Sequence, residues 1–233
     1  MKKNLLLLLL VCIYSYANAQ KKNKDKGKSK QEASVNFTPQ EITPVADTTK
    51  KFTGVIKYFM TSDDPGDKDS VFIVFGETQI RVIMFIPGYR ADQVFERSMI
   101  ANLKDSTFLE LDTKNKTYKT EKLSVRNEGT EFTLTPDKKT GNILKYTCPE
   151  YKGEMKTTDG EVAEAACLVS KQHSFIAAMD YNFLGIQPIV MDYKIVLGFK
   201  TKSADNENTF IMAYKIEPGN TDTYFDLSGF KAL

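Results

Sequence analysis

The sequence predicts a mainly β domain whose strands pair as antiparallel hairpins. Three observations carry this. Beyond Lys51 the dominant hydrophobic period is two rather than 3.6. The apolar runs are short and rich in β-branched and aromatic residues, as in Ser70 to Phe75 (SVFIVF) and Gln79 to Ile86 (QIRVIMFI). Polar or Gly/Pro-containing turn sequences separate them, among them Pro87-Gly88, Asp112-Thr113-Lys114-Asn115-Lys116 and Thr157-Thr158-Asp159-Gly160.

The first segment, 1–19, reads as a signal peptide. Lys2 and Lys3 form its positive start, Leu5 to Ile13 its apolar run, and Ala17-Asn18-Ala19 its cleavage signal. The apolar run is short for a bilayer span. Cys12 follows Val11, where a lipid-modified cysteine needs a small residue, so it belongs to the discarded leader. Residues 20–51 read as an unfolded basic tether. Lys21, Lys22, Lys24, Lys26, Lys28 and Lys30 alternate with small polar residues and leave no apolar face to bury. The near-neutral total of 32 basic and 30 acidic residues therefore hides a basic arm on a mildly acidic domain. Such an arm suits a solvated linker, or contact with anionic lipid or polysaccharide in the envelope. Export argues against nucleic acid and for the periplasm or outer membrane, with the cell exterior as the alternative.

Residues 52–233 suffice for one domain with a core. Phe52 to Met60 reads as a strand after Gly54, and Ser70 to Phe75 and Gln79 to Ile86 as a hairpin about Gly76-Glu77. Ala91 to Leu103 is ambiguous. Val94, Phe95, Met99, Ile100 and Leu103 have near-helical spacing, while Met99, Ala101 and Leu103 alternate. Loop then strand is the reading, and a short helix its rival. Thr107 to Leu111 and Thr117 to Leu123 flank the polar turn after them. Phe132 and Leu134 mark a short strand, and Pro136 to Gly141 a lysine-rich turn. Ser174 to Leu184 carries Phe175, Ile176, Met179, Phe183 and Leu184 at helical spacing, which predicts an amphipathic helix. Ile189 to Phe199 and Thr209 to Ile216 form the last hairpin, before an aromatic tail with Tyr224, Phe225, Leu227 and Phe230. Asp47-Thr48-Thr49, Asp69-Ser70-Val71 and Asp105-Ser106-Thr107 match a bacterial O-glycosylation triplet, a pattern short enough to recur by chance.

The cysteines of the domain, Cys148 and Cys167, sit on the two arms of a hairpin from Gly141 to Ser170. Reflection about the turn brings them within two residues of register. An oxidising compartment favours a cross-strand disulfide over two free buried thiols. Closing a loop of about twenty residues would stabilise by roughly 3 kcal/mol. A metal site would need more ligands than His173, the chain's one histidine. Ser170 and Ser174 flank His173, but no nucleophile elbow accompanies them, so it reads as a surface or strand-end residue. The chain is expected to have no catalytic centre, metal or cofactor.

Gly141, Ile143, Tyr146, Cys148 and Tyr151, the Val169-Ser170-Lys171 corner, and Asp222, Phe225, Gly229, Phe230 and Lys231 near the end form a recognisable order. It resembles exported envelope domains of unknown function that are distantly similar to the lipoprotein carrier LolA. Leu184 to Ile189 echoes the G-L-P-G-L-I motif of a related envelope family. The chain departs from the pattern in having no tryptophan before the V-S/T-K corner. The resemblance implies a LolA-like fold: a curved antiparallel sheet, an incomplete β-barrel, with a short helix or loops over its concave face. Apolar wall residues in such a sheet can hold a lipid or lipoprotein acyl chain. Phe72, Val74, Ile83, Phe85, Leu109, Ile195, Leu197, Ile211 and Tyr214 have that character, unless they pack a solid core. The expected function is a non-catalytic binding module of the envelope holding an apolar ligand. The alternative is a solid structural or interaction subunit with an envelope protein partner.

Overall fold

The computed structural model describes residues 51–62, 68–87, 94–123, 130–157, 159–175, 182–183, 187–203 and 208–233. The chain divides into two compact units, Met1–Asn36 and Phe37–Leu233. The first lies outside the described residues, as do the expected leader and, apart from Lys51, the tether. Among the described residues no helix is long and apolar enough to cross a membrane.

Alternation becomes pairing at once. Gly54–Ser62 (β1), Lys68–Phe75 (β2), Gln79–Pro87 (β3), Val94–Asn102 (β4), Thr107–Asp112 (β5) and Thr117–Lys122 (β6) form one antiparallel meander. Glu131–Ile143 (β7), Tyr146–Lys156 (β8) and Val162–Ser174 (β9) form a second. Lys194–Lys202 (β13) and Asn208–Pro218 (β14) join them, β13 beside β9 and β14 beside β1. Val190–Met191 (β12) pairs with β13, and Asn182–Phe183 (β10) with Gln187–Pro188 (β11) apart from the main sheet. A short helix, Asp222–Phe225 (α1), precedes Lys231–Ala232 (β15), which pairs parallel with β6. The sheet thus runs β15-β6-β5-β4-β3-β2-β1-β14-β13-β9-β8-β7 and is open.

The sheet cannot be flat. Lys122 ends β6 and Glu131 begins β7, so eight residues join strands that are ten places apart in the sheet. The nine Cα steps from Lys122 to Glu131 reach at most about 32 Å. Ten flat inter-strand steps would span about 48 Å. The edges must therefore curl towards each other. Side chains report the same curvature: the Phe132 and Phe199 rings, on β7 and β13, lie 5.7 Å apart centroid to centroid. Three flat steps would separate their strands by about 14 Å.

The curl makes two unequal faces. Inward residues of every long strand from β1 to β5, and of β7, β8, β9, β13 and β14, join one core that includes Ile56, Tyr58, Ile73, Phe75, Val82, Met99, Phe108, Cys148, Val169, Leu197 and Ile211. Each such fully buried side chain contributes about 1.5–3 kcal/mol before entropy is offset. Val55, Val74 and Ile83 form a smaller cluster on the outer face with Phe72, Phe85 and Phe225. The C-terminal tail clamps that face. Thr221 Oγ1 donates to Phe75 O at 3.2 Å, Arg81 donates to Tyr224 O, and Lys231 N donates to Lys116 O at 2.9 Å.

Several local expectations change. Ala91 to Leu103 contains strand β4, as the alternation indicated. Pro136 to Gly141 is no turn: it lies inside β7, as a bulge between Pro136 and Thr140, and the chain reverses at Leu144-Lys145. Lysines and a proline mid-strand are how an exposed edge strand avoids pairing further. The helix expected over Ser174 to Leu184 falls largely outside the described residues, but Ser174 and Asn182–Phe183 are extended. Ile189 to Phe199 is broken by a two-residue turn, Asp192-Tyr193.

Candidate functional site

The nine apolar wall residues do not share one surface. Ile195, Leu197 and Ile211 point into the main core, with 0%, 0% and 2% of their surface exposed. A side chain that buried touches neither solvent nor a void large enough for water. Phe72, Val74, Ile83 and Phe85 belong to the outer cluster. Leu109 alternates with inward Phe108 and so faces outward too. Tyr214 is the residue left unpaired at the β1–β14 register shift, and it stacks on Phe59 at 3.9 Å, with 16° between the rings. A one-residue step moves a side chain between faces. Residues chosen for apolar character alone were therefore split by strand parity.

What the outer face assembles is an aromatic patch on β1, β2, β3 and β14. Phe59 and Met212 are cross-strand partners, each 39% exposed. Phe59 stacks on Tyr214, and Phe72 meets Phe85 edge to face at 5.0 Å. Cations frame it. Lys57 Nζ stands 4.9 Å from the Phe72 centroid and 2.8 Å from Glu217, and Lys200 Nζ stands 5.0 Å from the Phe210 centroid. The hydrogen bond from Lys57 to Glu217 holds the Lys57 ammonium above its usual range. Hydrogen bonds from Lys215 and Lys57 hold Glu217 below the usual carboxylate range. Phe59 and Met212 were not singled out from the sequence, where only their alternation with core residues Tyr58 and Ile211 marks them.

The Val169-Ser170-Lys171 corner is a real irregularity. Between Val169 and Ser174, β9 bulges against β13, so four residues face one. Ser170 Oγ accepts the backbone N–H groups of Gln172 (3.1 Å) and His173 (2.9 Å) and lies 2.9 Å from His173 Nδ1. With both lone pairs engaged, the hydroxyl proton is left to donate to Nδ1. His173 is buried, not a surface residue, and the Phe52 and Tyr146 rings meet it edge-on at 5.0 and 4.9 Å. Burial lowers its pKa, and the nearby Lys145 charge lowers it further. A serine–histidine pair at this distance can serve as nucleophile and base. Here Ser170 is closed to solvent, and its contacts account for the bulge.

The disulfide expected between Cys148 and Cys167 is absent: both are free, buried thiols. The cause is register. Cys167 pairs with Tyr151, three residues along β8 from Cys148. Three residues are about 10 Å of strand, beyond the roughly 7 Å Cα separation a disulfide tolerates. Burial pushes both thiols up to about 12. Cys167 Sγ instead contacts Met191 Sδ. Among the described residues no group of three or more His, Cys, Asp or Glu side chains is placed to hold a metal ion.

No protein-family model matches the chain, and no curated protein matches it. Among solved structures it is similar to PNGF-II in its C2 space group, at 11% identity and TM-score 0.48, over 78% of this chain and 30% of that one. The P21 form gives 11% identity and TM-score 0.43, over 78% and 31%. The chain thus spans under a third of PNGF-II, and a likeness this loose bears on neither fold nor function.

Proposed function

We propose that the protein is an exported, non-catalytic interaction module of the bacterial envelope, with a solid core as scaffold and recognition on its surface. The observation that carries this is the outer patch of Phe59, Phe72, Phe85, Met212 and Tyr214, set over a core whose buried residues keep at most 8% of their surface exposed. Aromatic residues and methionine ringed by charge are the composition of a protein-binding centre. The open, curled antiparallel sheet is also the architecture that the LolA resemblance implies. The expected partner is an envelope protein. Crosslinking in intact cells, followed by purification, tests this. A stoichiometric partner lost on Met212→Glu, with the fold intact, supports the reading. No partner, or one indifferent to Met212→Glu and Phe59→Glu, refutes it.

A second reading places a lipid or acyl chain against the inner face. One observation favours it: Phe95, on the same face of β4 as core residue Met99 by strand alternation, is exposed.

A further inference from the structure

Two tight turns hold bulky apolar residues in a conformation such residues avoid. Leu144, in the β7–β8 turn, has φ +54°. Asp192 and Tyr193, in the β12–β13 turn, have φ +46° and +62°. Positive φ suits Gly, Asn or Asp, and a branched or aromatic side chain there costs about 1–2 kcal/mol. Both side chains nonetheless project outward, Leu144 50% and Tyr193 58% exposed. Strain that persists without burying anything calls for another use.

The turns flank one place, the end of β9. Lys145, beside Leu144, is close enough to His173 to lower its pKa, and the next residue, Tyr146, packs on the His173 ring. On the other side, Tyr193 O accepts Phe175 N at 2.8 Å. Lysines gather there. Lys145 and Lys171 are exposed, and exposed Lys51 bridges to Ser174. Asp192 is the anion of the same turn, and the Tyr151 hydroxyl donates to it at 3.2 Å.

We infer that this end of the sheet docks on an anionic lipid bilayer, with Leu144 and Tyr193 entering the interface and Lys51, Lys145 and Lys171 meeting the headgroups. Two convex tips offer far less than the roughly 800 Å² per side that a stable protein interface needs. They do suit a bilayer, where tyrosine favours the interface and each lysine near an anionic surface adds about 1 kcal/mol. The inference stands apart from the outer-face patch: vesicles test one and crosslinking the other.

The chain has no tryptophan, so one introduced at a tip is the sole reporter of its type. Tyr193→Trp and Leu144→Trp proteins are mixed with phosphatidylcholine vesicles with or without phosphatidylglycerol. Val162→Trp, exposed at the start of β9 and so at the opposite end from Ser174, is the control. Both tip reporters are expected to shift emission to the blue and resist aqueous quenching only with phosphatidylglycerol, and Val162→Trp to do neither. Adding Lys145→Glu and Lys171→Glu should weaken the response roughly thirtyfold or more. The inference is overturned if neither tip reporter responds, if Val162→Trp responds equally, or if phosphatidylglycerol makes no difference.

Discussion

Tyr58 is fully buried on β1, and its hydroxyl donates to Val196 O on β13 at 2.9 Å. Removing that hydroxyl deletes a buried hydrogen bond between strands far apart in the chain. Tyr58→Phe is expected to cost about 1–3 kcal/mol in denaturant unfolding, although it keeps the ring. His173 gives a pH signature. Its folded pKa is lowered by burial and by Lys145, so the unfolded chain binds the proton more readily. Its stabilisation is complete above the usual imidazole pKa of about 6.5 and falls as pH drops below it, by at most about 1.4 kcal/mol per pH unit. Carboxylates contribute alike to wild type and variant. The stability gap between wild type and His173→Gln should therefore narrow from pH 7 to pH 5, and a constant gap would remove histidine from the account. At Tyr193 the sign reverses: Tyr193→Gly relieves the left-handed strain and should raise stability by about 1 kcal/mol. The same change removes one bilayer-entering side chain.

Hairpins with polar turns were legible at the level of elements, because turn chemistry and period agreed. Thr107 to Leu123 and the Thr157 to Gly160 turn are examples. Where turn-type residues lay inside a strand, the reading failed. Pro136 to Gly141 looks like a turn and is a bulge in β7. The opposite failure is Asp192-Tyr193, a true turn without glycine or proline. Between the turn and Cys167, β8 and β9 pair in one unbroken register, so no bulge brings Cys148 opposite Cys167 and the offset of two residues expected from reflection about the turn is three. Both thiols should thus be slow to alkylate when native, since burial and a pKa of about 12 leave little thiolate, and both should label on denaturation under non-reducing conditions. Failure to label then would mean a disulfide. Gly153 shows how tightly β7 crosses β8, because a Cβ there would overlap the Thr133 carbonyl. Gly153→Ala should cost about 1–3 kcal/mol and raise hydrogen exchange along β7 and β8 more than along β1 to β3.

For the whole molecule, the connection from β6 to β7 demands a curled sheet, and the single large core follows from that curl. Apolar character on both faces of β2 and β3 hid which face was inner. A continuous run such as SVFIVF carries no parity signal, and the candidate site was misassembled for that reason. The central claim is that the sheet is a filled scaffold whose recognition lies outside. Native mass spectrometry of protein extracted gently from the envelope tests it most directly. The expected result is the mass of the polypeptide, alone or with a protein partner, and no lipid; a lipid or acyl ligand retained in one-to-one ratio, and lost from a Phe95→Glu variant, would contradict it.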